Sequence, residues 1–150
     1  MRIGTLVAMV MLLAGLSGAP VGAQGSCPPT RADMLGPFYK PDAPVRSRTG
    51  DGLVVSGTVR SAATCAPLPG ARIEWWSADT RGEYQDSLRA TQTADSDGRY
   101  RYETVFPGLY PGRPAHLHVR LSAPGHRVLV TQVYPKPNDR DIKLDFVLPQ

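Results

Sequence analysis

Short segments in which apolar and polar residues alternate recur along most of the chain. In residues 71–77, Ile73 and Trp75 fall on one side of an extended backbone, and Arg72 and Glu74 fall on the other. A spacing of two is typical of β-strands that bury one face. The same pattern, weaker in some places, predicts strands over residues 53–60, 71–77, 89–93, 99–104, 115–121, 128–133 and 142–148.

The segments between the predicted strands are rich in residues that break regular structure. The chain has 15 glycines and 15 prolines, and no sustained helical period follows its N-terminal segment. Asp95-Ser96-Asp97-Gly98 predicts a tight turn. Many short strands joined by turns favour an all-β fold, a single-domain β-sandwich over residues 53–150. An irregular N-terminal arm over residues 24–52 is expected to precede it.

The first residues have a different character. Arg2 is followed by an apolar run over residues 6–16 and by small residues at 21–23. This order is typical of a secretory signal peptide, and the run is too short to span a bilayer. We therefore expect residues 1–23 to be a signal peptide, and the mature chain to be secreted into the periplasm or the extracellular medium.

Cys27 and Cys65 are the only cysteines in the chain. Export permits a disulfide, and two cysteines allow only one intramolecular pairing. We expect this bridge to join the arm to the loop after the first predicted strand. Two separate free thiols are the alternative.

The formal net charge of +4 at pH 7 is spread along the chain. Without a long run of positive residues, no nucleic-acid partner is indicated. The charge favours a small anionic partner over a neutral one. No membrane contact is expected after removal of the signal peptide, and the sequence leaves the oligomeric state open.

Candidate chemistry is concentrated in two histidines and two tyrosines. His116 and His118 point to the same side of an extended strand, so both imidazoles can reach one metal, although an exposed strand face can carry two histidines without function. Tyr84 and Tyr110 each follow a glycine-containing turn, where irregular backbone can direct a side chain into a cleft. This donor set favours ferric iron, because a phenol loses its proton only to a strongly Lewis-acidic ion. The alternative is that both tyrosines pack within the sandwich.

A series of short motifs resembles the intradiol ring-cleavage dioxygenase family. In chain order they are Gly36-Pro37-Phe38-Tyr39, Pro69-Gly70-Ala71-Arg72-Ile73-Glu74-Trp75, Gly82-Glu83-Tyr84, Pro107-Gly108-Leu109-Tyr110, Arg113-Pro114-Ala115-His116-Leu117-His118 and Thr131-Gln132. The chain is most similar to the small, exported members, which are related to catechol and protocatechuate dioxygenases. The resemblance extends from about residue 27 to the C-terminus, and the order tyrosine, tyrosine, His-x-His is its most specific part.

The resemblance implies an Fe(III) cofactor held by four residues of this chain. Tyr84 and His118 would be the equatorial ligands, and Tyr110 and His116 the axial ones. The enzyme would use O₂ to cleave a catechol between its two hydroxylated carbons, giving a muconate-type diacid in aromatic compound catabolism. Tyr110 would accept a proton and leave the iron when the substrate chelates it.

Four further residues match positions that contact the substrate in this family. Arg113 would stabilise negative charge on the bound substrate, and Gln132 would line the cavity beside it. Pro37 and Phe38 would belong to the substrate wall. A surface salt bridge for Arg113 and an ordinary strand position for Gln132 are the alternatives.

The sequence also departs from the catechol enzymes and fits part of another class. We expect no counterpart of the N-terminal helical segment that pairs their subunits, and the short connection through Pro111 and Gly112 should leave the mouth of the site more open. Non-catalytic β-sandwich binding modules of the transthyretin-like or carboxypeptidase-regulatory-like kind share Pro69-Gly70-Ala71, but they have no use for the His-x-His motif. A zinc or copper site built on the histidines is the third alternative.

Overall fold

The structure is a computed structural model that describes residues 25–150. The predicted signal peptide, residues 1–23, lies outside the described residues. Within them, no helix has the length and apolar character needed to cross a membrane. The strands in this range are β1 (Leu53–Ser61), β2 (Arg72–Ala78), β3 (Tyr84–Thr93), β4 (Arg99–Thr104), β5 (Leu117–Ser122), β6 (Leu129–Val133), β7 (Asp141–Lys143) and β8 (Phe146–Leu148).

These strands form two sheets. In the first, β1 pairs antiparallel with β4 and parallel with both β7 and β8. The second has the order β3-β2-β5-β6, and all of its neighbouring strands are antiparallel. The predicted all-β sandwich is confirmed.

The core between the sheets is built from the apolar face that the alternation predicts. Trp75 of β2 stacks on Tyr102 of β4, with ring centroids 4.5 Å apart and planes 11° from parallel. Leu117 and Val119 of β5 are fully buried. Because side chains alternate along a strand, His118 points away from this core, towards the outer face of the second sheet.

Two strand predictions differ from the structure. β3 begins at Tyr84 rather than at residue 89, because exposed polar residues at 85–87 interrupt the alternation at the start of the strand. The last predicted strand, 142–148, is divided into β7 and β8. Between them the Asp145 carboxylate accepts a hydrogen bond from the backbone N–H of Thr58 at 2.8 Å, so a side chain replaces strand pairing at this point.

The arm, residues 25–52 of the described chain, forms no strand of either sheet apart from isolated bridges. A disulfide joins Cys27 to Cys65, with their Cα atoms 5.2 Å apart. Further along, the backbone N–H of Asp33 donates to the carbonyl of Val130 at 2.9 Å. The segment of the arm from Cys27 to Asp33 is therefore attached to the sandwich at both ends.

The second half of the arm lies over the outer face of the second sheet. Tyr39 packs edge-on against Trp76 with ring centroids 5.1 Å apart, and its hydroxyl donates to the buried carboxylate of Glu74 at 3.2 Å. The guanidinium of Arg89 donates to the carbonyl of Phe38 at 2.6 Å. The arm thus covers the strand residues that point away from the core.

Candidate metal centre

Two glycines bring the loop before Tyr84 and the loop that carries Tyr110 into backbone contact. Gly82 has a φ of +88°, a region that favours glycine, and a methyl group on it would overlap the backbone of the second loop. The backbone N–H of Gly108 donates to the carbonyl of Asp79 at 2.8 Å, and a methyl group on this glycine would overlap the first loop. This contact, which we call the glycine clasp, places both tyrosines at the same end of the sandwich.

The two histidines reach this region from the start of β5. β5 begins at Leu117, so His116 lies one residue before the strand rather than within it, yet the two imidazole centroids are 4.8 Å apart. Both histidines are buried. Nδ1 of His116 lies 2.7 Å from the carbonyl of Pro114, which can only accept. Nδ1 therefore carries the proton, and Nε2 has a free lone pair.

Three potential donor atoms converge at one point. The hydroxyl oxygen of Tyr84 lies 3.0 Å from Nε2 of His116 and 3.0 Å from Nε2 of His118, and the two nitrogens are 3.1 Å apart. All three atoms can offer a lone pair, so a cation between them would attract all of them. Tyr110 lines the same cavity, and its hydroxyl makes no hydrogen bond with any residue in 25–150.

The protonation states of the buried donors suit metal binding. Burial raises the pKa of Tyr84 to about 12, so its phenol is neutral near pH 7 in the absence of a cation. Burial is the main cause that lowers the pKa of His118 to about 4. His118 is therefore a neutral imidazole near pH 7, which is the form that binds metals.

These residues fit a ferric ion. Within the described part of the chain, no group of three or more His, Cys, Asp or Glu side chains is arranged to hold a metal. A metal at this site must therefore use the tyrosines as well as the histidines. Phenolate oxygen suits a strongly Lewis-acidic ion, whereas zinc sites use His, Cys and carboxylate ligands. The chemistry of the donor set favours ferric iron over the zinc or copper alternative.

A cavity of about 180 Å³ lies beside the four predicted ligands. Phe38 stacks on Tyr84, with ring centroids 4.1 Å apart and planes 14° from parallel, and it meets Tyr110 edge-on at 5.5 Å. The arm therefore supplies one wall of the cavity. The lining residues are Met34, Gly36, Pro37, Phe38, Tyr84, Tyr110, Arg113, His116, His118 and Gln132.

The structure brings Arg113 and Gln132 together at this cavity. Nη2 of Arg113 donates to Oε1 of Gln132 at 2.7 Å. Nε2 of Gln132 donates to the backbone carbonyl of Met34 at 2.8 Å. Gln132 therefore links the arginine to the arm. All eight residues predicted for the metal site and the substrate wall line one cavity.

Three neighbouring residues were given no role in the sequence analysis. Trp76 stacks on His118, while Asp33 and Tyr134 lie beside Arg113. Trp76 could have been identified from the sequence, since a large aromatic residue at an outward position of β2 requires a packing partner on that face. Tyr134 could also have been identified, because it lies two residues after Gln132 and points to the same side of the chain. Asp33 belongs to the arm, which has no periodicity that would indicate its position.

Comparison with known proteins identifies the family of the chain. The sequence profile of the family described as Dioxygenase matches residues 39–149. The catechol 1,2-dioxygenase of Candida albicans is 29% identical, over 87% of this chain and 55% of its own length. The catechol 1,2-dioxygenase of Acinetobacter baylyi is 31% identical, over 77% of this chain and 48% of its own length. The chain thus spans about half the length of these relatives.

A solved structure matches over nearly its full length. It is the dioxygenase domain of a dioxygenase carbohydrate-binding protein fusion from Streptomyces sp. SirexAA-E. That domain is 36% identical to this chain, with a TM-score of 0.74, and the match covers 81% of this chain and 99% of that one. Together with the profile match over residues 39–149, these relatives show that the chain belongs to the intradiol ring-cleavage dioxygenase family.

Proposed function

We propose that this protein is a non-haem Fe(III)-dependent intradiol dioxygenase that cleaves catechol-type rings with O₂ to muconate-type diacids. The observation that carries the proposal is the convergence of the Tyr84 hydroxyl with Nε2 of His116 and Nε2 of His118, all within 3.1 Å of one another. Tyr110 completes a donor set of two phenols and two imidazoles around the same cavity. A non-catalytic binding module of this fold would have no use for a buried pair of imidazoles facing a phenol.

The cavity walls favour a single electron-rich ring. Its volume of about 180 Å³ is below the range of about 300–1,000 Å³ that is typical of pockets for drug-sized ligands. Phe38 and Pro37 provide an apolar wall, and Arg113 provides a positive charge. An ionised catechol combines one ring with negative charge on adjacent oxygens, so it matches both features. The relatives that are named catechol 1,2-dioxygenase support this substrate class.

The residues around the cavity have separate tasks in the proposed reaction. A bound ferric ion would supply Lewis acidity, which acidifies the ring hydroxyls and makes the ring open to attack by O₂. Tyr110 would hold the ion through its deprotonated oxygen and would accept one of the substrate protons on that oxygen, which has no hydrogen-bond partner among the described residues. Arg113 stabilises negative charge on the ring in a site of reduced dielectric, where such pairing is stronger than in water.

Tyr84 is the tyrosine that stays in place during the reaction. Its ring is held against Phe38, and its oxygen contacts both imidazoles. The same Phe38 ring, together with Pro37, keeps water away from the substrate ring. Tyr84 therefore anchors the site, while Tyr110 exchanges with the substrate.

Export is also part of the proposal. The apolar run after Arg2 has the form of a signal peptide, and the Cys27–Cys65 disulfide is typical of an oxidising compartment. The substrates would then be catechols that are encountered in the periplasm or outside the cell.

Metal content and oxygen uptake test the proposal together. Protein produced in iron-rich medium should contain stoichiometric iron and be red-brown from phenolate-to-iron charge transfer. It should consume O₂ with catechol and release a ring-opened diacid that mass spectrometry detects. His116→Ala and His118→Ala should each lose iron and activity. His126→Ala is the matched control, because this third histidine lies away from the site against Ser61. A colourless zinc protein without O₂ uptake would overturn the proposal.

A further inference from the structure

The Tyr134 hydroxyl lies between the arm and the arginine of the site. It is 2.8 Å from Oδ2 of Asp33, 2.8 Å from Oε1 of Gln132 and 3.1 Å from Nη2 of Arg113. Asp33 precedes Tyr134 by 101 residues, so only the fold brings the two together. These four side chains, Asp33, Arg113, Gln132 and Tyr134, form what we call the arginine relay.

The direction of each hydrogen bond in the arginine relay follows from counting protons. A tyrosine hydroxyl has one proton, a carboxylate has none, and Nη2 of an arginine has two. The stronger acceptor for the Tyr134 proton is the Asp33 carboxylate, because a charged acceptor makes the stronger bond. The Tyr134 oxygen then accepts from Arg113. The amide oxygen of Gln132 accepts the second Nη2 proton at 2.7 Å.

This assignment commits one end of the Arg113 guanidinium and leaves the other end free. Both Nη2 protons are used, by Gln132 and Tyr134. Nη1 and Nε of Arg113 make no hydrogen bond with any residue in 25–150, and Arg113 lines the cavity. The Nη1 amino group is thus available to an anionic oxygen of the substrate. Its orientation depends on the two acceptors behind it.

The backbone and the carboxylate of Asp33 are both held by hydrogen bonds. Its backbone N–H donates to the carbonyl of Val130 at 2.9 Å, and its Oδ1 accepts from the backbone N–H of Met34 at 2.7 Å. Asp33 lies outside the segment 39–149 that matches the family profile. The charged acceptor for the Tyr134 hydroxyl is therefore supplied by the arm and not by the segment that matches the profile.

We propose that Tyr134 and Asp33 are positioning residues, which hold the Arg113 guanidinium so that its Nη1 amino group can reach an anionic oxygen of the substrate. The proposal deepens the proposed function and rests on it for the identity of the substrate. The position of Arg113 is a property of the protein alone, so it can be measured without substrate or metal.

The first experiment measures the motion of the Arg113 side chain in the metal-free protein. ¹⁵N relaxation gives an order parameter for its Nε–H group, and the signal is assigned by its loss in Arg113→Lys. Tyr134→Phe removes only the hydroxyl and should lower this order parameter clearly, on a scale where rigid backbone groups give about 0.85 and flexible ones less than about 0.6. Asp33→Asn should lower it less, because an amide oxygen can still accept one hydrogen bond. Asp97→Asn, at an exposed turn away from the site, is the matched control and should leave it unchanged.

The second experiment measures binding of 4-nitrocatechol to protein loaded with Ga(III), a redox-inert substitute for ferric iron. Tyr134→Phe should weaken binding about tenfold, the effect of losing one hydrogen bond to a charged group. In an Arg113→Ala background the same substitution should have almost no further effect, since Tyr134 acts through Arg113. Melting temperatures of all variants report whether the fold is kept.

The two experiments separate this proposal from the proposed function. An unchanged Arg113 order parameter in a folded Tyr134→Phe protein would overturn the positioning role, whatever the activity. A full tenfold effect of Tyr134→Phe in the Arg113→Ala background would also overturn it. A mobile Arg113 in Tyr134→Phe, combined with a parent protein that consumes no O₂, would support the positioning role and refute the dioxygenase.

Discussion

Trp76 lies flat against His118, with ring centroids 4.9 Å apart and planes only 6° from parallel. Gly36 of the arm also lies close to the imidazole, since a methyl group on this glycine would come within 3.0 Å of the ring. The imidazole is therefore packed by both the indole and the arm. The rotation of His118 is restricted before any metal binds, which lowers the entropic cost of binding.

Trp76 should thus control the retention of metal by His118. Trp76→Leu removes the flat surface and should destabilise the fold by about 2 kcal/mol, as for other large-to-small changes at buried sites. It should also accelerate the loss of iron to a chelator. Trp76→Phe keeps a flat ring and loses no hydrogen bond, because the indole N–H has no partner among the described residues. Equal rates of iron loss in the parent and in a folded Trp76→Leu protein would contradict this role.

The two tyrosines should respond differently to removal of their hydroxyls. Tyr110→Phe should bind iron and keep some colour from Tyr84, but turnover should fall about 10²–10⁴-fold, the usual contribution of a general base. Tyr84→Phe should weaken iron binding and strip most of the colour that remains in the substrate complex. Visible spectra and O₂ uptake check both variants.

Tyr39→Phe is the control for these two variants. Its hydroxyl donates to Glu74 rather than facing the cavity, so colour and turnover should stay at the parent level. A Tyr110→Phe protein as active as the parent would rule out the exchange of Tyr110 with the substrate.

Loading with a ferric ion should release protons in a predictable number. The pKa of Tyr84 is raised to about 12, so the phenol is protonated at neutral pH and gives up its proton when it binds as phenolate. The pKa of His118 is lowered to about 4, so its imidazole is already neutral and contributes none. The parent should therefore release one proton more per ion than Tyr84→Phe, measured by pH-stat titration at saturating metal. The difference should stay constant between about pH 5 and about pH 9, a range above the one pKa and below the other.

The disulfide should stabilise the fold without affecting the metal site. Its closed loop spans a separation of 38 residues, for which constraint of the unfolded chain gives about 4 kcal/mol. The Cys27→Ser, Cys65→Ser double variant should lose about that amount in denaturant unfolding, and should keep its iron colour. Loss of iron in a folded double variant would show instead that the bridge positions the arm over the site.

Much of the sandwich was predictable because its strands bury one face. The alternation in residues 71–77 places Ile73 and Trp75 in the core, where the structure has them. The first residues of β3 were missed, since this strand lies at the edge of its sheet and residues 85–87 are exposed. An edge strand with both faces in solvent at one end leaves no hydrophobic pattern to detect.

The residues of the site were also predictable only in part. The proposed metal ligands stand in recognisable motifs, and His116 and His118 also share a face by simple alternation. The partners of Arg113 were not accessible in this way. Asp33 reaches Tyr134 only because the arm crosses β6 at Val130, and backbone hydrogen bonds of an irregular segment leave no mark in the sequence.

The candidate metal site has two halves that are positioned by different parts of the fold, and the glycine clasp positions one of them. One half, with Tyr84 and Tyr110, is set by backbone contact between two loops, while the other, with His116 and His118, is set by β5. A bound ion would therefore act as a cross-link between the loops and the sheet, and would stabilise the folded chain in proportion to the logarithm of the metal concentration. In an iron-poor environment the loops would lose that cross-link, so the lifetime of the folded protein would depend on the supply of its metal.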